Sequence, residues 1–79
     1  MSRREFIGER EGLRVRRKAI LAEVISHRDS LLSALSVIHE PEEINGEYVA
    51  VLGVKLNERL MELSGVDKKI AVLSREIGD

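Results

Sequence analysis

Residues 49–77 read VAVLGVKLNERLMELSGVDKKIAVLSREI. Taken at alternating steps of three and four, this stretch gives Val49, Leu52, Leu56, Arg59, Leu63, Val66, Ile70, Leu73 and Ile77. Eight of these nine positions are apolar. That is the a/d seam of a heptad repeat, carried through about four heptads. An α-helix gathers such positions into one narrow stripe, and the stripe needs a second helix to cover it. The register passes through Ser64-Gly65 without a step, so a single helix over 47–77 is expected. Ser64 and Asp67 do resemble a capping box, but Gly65 faces away from the seam. Gly78 is a suitable C-terminal stop.

Upstream of the seam, residues 40–47 (Glu-Pro-Glu-Glu-Ile-Asn-Gly-Glu) read as a connection of about 40–46. Pro41 suits a first helical position, with Glu42 and Glu43 meeting the positive end of the helix dipole. Asn45-Gly46 is an alternative turn, after which the helix starts at Glu47. Asn-Gly also signals a β-hairpin, and Tyr48 to Val54 is rich in β-branched residues. That reading fails because residues 39–44 are acidic, contain Pro41 and offer no matching strand.

The partner helix lies before the connection. Leu13, Ile20, Val24, Leu31 and Ile38 share one stripe, with Leu21, Ile25, Leu32 and Leu35 beside it. At about 100° per residue the apolar arc is roughly 140° wide, broader than a two-stranded seam requires. The opposite face is small and polar, with Lys18, Ala22, Ser26, Asp29, Ser33 and Ser36. Ser2 and Glu5 have the spacing of a capping box, while Gly8 and Gly12 weaken the first turns. Pro41 sets the expected end near Ile38–Glu40. Helix one is thus placed at about 3–39.

The expected fold is all-α: an antiparallel, coiled-coil-like helical hairpin spanning 1–79 as one domain, with arms about 45–50 Å long. The turn sets the register. Ile38 faces the start of helix two, Leu31 lies near Leu52, Ile20 near Leu63, Leu13 near Ile70, and Asp67 opposite Arg17. A two-helix hairpin encloses no core, and so small a domain is marginal alone. The wide arc makes sense if two hairpins pair as a homodimeric four-helix bundle. The expected interface comprises Ile20, Val24, Arg28, Leu31, Leu35, Leu52, Leu56, Arg59, Leu63 and Ile70.

Composition narrows the function classes. Of 79 residues 43% are apolar but only 3% aromatic, and 34% are charged. Aliphatic cores with solvated charged faces are the material of long helices. No cysteine is present, which removes disulfide and thiolate chemistry and points to an intracellular, cytoplasmic setting. The apolar run Tyr48–Leu52 is far short of the roughly 18 residues of a membrane span, and no signal-peptide core follows the N-terminus. His27 and His39, twelve apart in the expected helix, would stand about 18 Å from each other, too far to share a metal. No phosphate loop, nucleophile elbow or carboxylate dyad occurs, so neither cofactor, metal nor enzymatic activity is expected.

Two polar features remain. Arg17, His27 and Arg59 interrupt the apolar stripes, where polar groups fix register while long stems cover apolar surface. Glu62 is the expected partner of Arg59. Arg28 has no acid three or four residues away, so it is the expected contact to another chain. Residues 1–18 carry seven basic groups against three acidic, a net +4, while residues 19–79 carry −5. Arg14, Arg16, Arg17 and Lys18 are candidate phosphate contacts, though no aromatic residue is interleaved for base stacking. In an antiparallel hairpin Asp67, Glu76 and Asp79 would offset part of this charge. The sequence therefore points to a self-associating protein-interaction module. A homodimeric nucleic-acid-binding regulator is the alternative.

Overall fold

Each helix opens on a side-chain cap. The Ser2 hydroxyl accepts the Glu5 amide proton at 3.2 Å, and the Asn45 side chain accepts that of Tyr48 at 3.0 Å. Each supplies an acceptor to an amide that has no partner within its helix. The computed structural model describes residues 2–78. It consists of α1 (Arg3–Ala34) and α2 (Gly46–Ile77), 32 residues each, joined by a connection with one 3-10 turn at Pro41–Glu43. The chain is an all-α helical hairpin. At 58 × 16 × 15 Å it is two helices wide and one long helix in length. Met1 and Asp79, the latter named above as a counter-charge, lie outside the described residues.

The α2 seam falls as its heptad spacing predicts. Leu52, Val66, Leu73 and Ile77 are buried, and Val49, Leu56, Arg59, Leu63 and Ile70 are half-buried. The helix passes through Ser64-Gly65 unbroken. Gly78 ends it in a left-handed conformation, φ 89°, which glycine adopts without the Cβ penalty. Its amide donates back to the Ser74 and Arg75 carbonyls.

The end of α1 is a correction. It stops at Ala34, not near Ile38–Glu40. The Ser36 amide donates to the Ser33 carbonyl at 3.3 Å and the Ser36 hydroxyl accepts the Ile38 amide proton at 3.4 Å, so a local turn follows Ala34 well before Pro41. That local turn competes with helical hydrogen bonding. Ile38 therefore faces no helix and is 84% exposed, and His39 lies in the connection rather than in a last helical turn. Pro41 opens the 3-10 turn instead of α2, and α2 starts at Gly46, one residue earlier than expected.

Candidate interaction surface

The polar bonds between the helices fix their register. Arg17 Nε donates to Asp67 at 2.6 Å, Arg10 Nη1 to the Ser74 hydroxyl at 3.3 Å, and Arg3 Nε to the Ile77 carbonyl at 3.2 Å. Residue numbers of the pairs across the two helices sum to 78–84, so the helices run antiparallel with Arg17 opposite Asp67, as the turn predicts. Arg16 pairs with Glu62, and Arg59 pairs with Glu62 at 2.8 Å and with Glu23 at 3.5 Å.

The α1 side of the seam is Phe6, Arg10, Leu13, Arg17, Ile20, Val24, His27, Leu31 and Ala34, each buried or half-buried. Arg10 is only 7% exposed and was not singled out from the sequence. Its signal was the unbroken alternation of four and three steps from Phe6 to Ala34, which Gly8 and Gly12 obscured. Of the ten expected interface residues, Ile20, Val24, Leu31, Leu52, Leu56, Arg59, Leu63 and Ile70 line this seam within one chain. Arg28 and Leu35 do not. Arg28 is held by the adjacent Asp29 at 3.0 Å, an acid one residue away that a search at helical spacing passes over.

The two flanks of the seam differ. One is charged: Arg16 and Glu23 of α1 face Arg59 and Glu62 of α2 across it. The other carries Arg17–Asp67 near its open end and then turns apolar. Leu21, Ile25, Arg28, Leu32 and Leu35 follow one another at three- and four-residue steps along α1. Ile25 is 41% exposed, Leu32 65% and Leu35 49%. Leu60, one heptad before Asp67, borders the same side from α2 and is 44% exposed. The outer face of α2 adds Val51, Val54, Met61 and Val72, a second exposed stripe that the heptad spacing alone does not reveal.

The four candidate phosphate contacts do not form an open basic cluster. Arg14 is held by Glu11 at 2.7 Å, Arg16 by Glu62 and Arg17 by Asp67. Lys18 has no ion pair among the described residues. A groove of about 980 Å³ lies between the outer face of α1 (Ser26, Asp29, Ser33) and the connection (His39, Glu43), with Tyr48 at its end. Among the described residues no three metal-binding side chains cluster, and no helix is long and apolar enough to cross a membrane. The chain matches no protein-family model, no curated protein and no solved structure.

Proposed function

We propose that this chain is a non-enzymatic protein-interaction module that self-associates and offers a helical surface to a partner, in a cytoplasmic setting. The observation that carries this reading is the apolar flank. Ile25, Leu32, Leu35 and Leu60, 41–65% exposed, form one patch beside the seam. Isolated surface leucines are ordinary, but a contiguous apolar strip rimmed by charge marks a contact site. Among the described residues the only other element is the short 3-10 turn at Pro41–Glu43, and no third helix covers the strip. Helix-in-groove recognition uses such i, i+3, i+4, i+7 anchors.

The alternative, a nucleic-acid-binding regulator, has less support. Three of its four cations are engaged by carboxylates, and phosphate would have to displace those partners. Such exposed pairs are worth about 0–1 kcal/mol each, so binding at low salt that collapses with added salt would revive it.

Sedimentation equilibrium of the full chain, with helicity followed on dilution, tests the reading. The expected mass is twice the 8.9 kDa of the chain. Leu32→Glu should lower that mass to the monomer value, because it places a charge on the flank without touching the seam. A wild-type chain that stays monomeric at its highest soluble concentration sinks the proposal.

A further inference from the structure

Resting on that reading, we infer that the occupant of the apolar flank is a second copy of this chain. Its α1 lies antiparallel along the same strip, about a two-fold axis passing between Ser26 and His27. Charge decides the orientation. Along the strip the order is Arg14, Lys18, Leu21, Ile25, Arg28, Leu32, Leu35, basic at one end and, apart from Arg28, apolar through the rest. Immediately beyond Leu35 comes the connection, with Glu40, Glu42, Glu43 and then Glu47, and neither lysine nor arginine. A parallel copy would lay basic segment on basic segment and acid on acid. An antiparallel copy lays each basic end beside the partner's acidic connection, and it satisfies the requirement that a two-fold interface be complementary to itself.

The helical period, together with charge, fixes the register within that orientation. In an antiparallel pair each layer joins one strip position to the other type on the facing helix. Two registers keep three distinct layers each, and one of them sets Lys18 against the partner's Arg28; the other matches Leu21 with the partner's Leu32, Ile25 with the partner's Arg28, and Lys18 with the partner's Leu35. Arg28 then covers the partner's Ile25 with its stem. Its guanidinium is in reach of the partner's Asp29, one turn on from that Ile25 where the strip meets the polar outer face. Arg28 already holds its own Asp29 in an exposed pair, both side chains 59% exposed, so the two-fold exchanges one carboxylate for its symmetry copy. The matched strip from Lys18 to Leu35 is about 26 Å long.

The absence of native cysteine makes the test direct. Leu21→Cys and Leu32→Cys chains are prepared singly and mixed in equal amounts. They are treated with a short bismaleimide suited to packed helices about 8–10 Å apart. The mixture should form a cross-linked dimer of one chain of each kind. Either variant alone should not, because each cysteine and its own copy stand about 16 Å apart along the axis. Circular dichroism on both variants controls for folding. A monomeric wild type overturns self-association and this arrangement together. A dimer in which Leu21→Cys links to itself overturns the arrangement alone. As a second readout, replacing Glu40, Glu42 and Glu43 by Gln should raise the dimer dissociation constant about tenfold at low salt, where charges act over distances near 30 Å. An unchanged constant would overturn the charge pairing that sets the orientation.

Discussion

The open end and the turn end of this hairpin are built from the same two helices, yet they are packed differently. Toward the open end Arg10, Val66, Leu73 and Ile77 are buried, and Arg3, Arg10, Arg16 and Arg17 all reach across to α2. Toward the turn Leu52 is buried and, from mid-helix, Ile20, while Ile25, Leu32, Leu35, Val37, Ile38 and Val54 stand 41–98% exposed. Near the turn the seam contains His27 and Ala34, with Gly53 alongside, so it holds less side-chain bulk. Ile25, Leu32 and Leu35 lie on the flank, Val54 on the outer face of α2, and Val37 and Ile38 past the end of α1, where no facing helix covers them. Near the open end arginine stems fill the seam while their heads find carboxylates, a hydroxyl or the last carbonyl of α2. One end is closed by its own chain, and the other has apolar surface to give.

Substitutions should separate the two ends. Leu73→Ala removes a buried side chain from the closed end. It should cost about 2–5 kcal/mol in urea unfolding at every protein concentration. Leu32→Ala at the turn end should cost little in a dilute sample and more as concentration rises, because a side chain 65% exposed in one chain is protected only by association. Equal, concentration-independent losses for the two would abolish the distinction.

Smaller effects sharpen it. Asn45→Ala removes the cap of α2 at the turn end and should cost about 1 kcal/mol, read from the thermal midpoint. Gly8 and Gly65 lie within helices, and a methyl group added at either would meet nothing within 4 Å. Replacing either by Ala should stabilise the fold by about 0.5–1 kcal/mol. A loss at Gly65 would mean that close backbone approach by another chain requires glycine there. A double-mutant cycle on Arg17 and Asp67, side chains 40% and 46% exposed, should give a coupling no larger than about 1 kcal/mol.

The heptad of α2 was fully legible, because a period carried through nine positions leaves one way to bury a stripe. Register was legible too, since two apolar stripes of equal length must overlap to be covered, and Asp67 meets Arg17 where that overlap puts it. The end of α1 was not. Ile38 continues the apolar spacing and Pro41 offers a reasonable stop, so pattern and punctuation agree on a boundary, while the chain leaves the helix at Ala34 and enters a turn at Ser36. Arg10 was hidden for a related reason: a charged residue between two glycines reads as surface until its neighbours on the other helix are known.

The sequence by itself determined that this chain is two helices, which stripe of α2 is buried, and where charge of each sign is concentrated. Those follow from periodicity and composition, which are local properties. Only the tertiary structure decided which part of the broad α1 arc faces α2 and which part stays open, and which carboxylate each arginine takes. A helix can turn its apolar arc by one residue step without altering its pattern. The choice among such rotations is made by the side chains that meet across the seam.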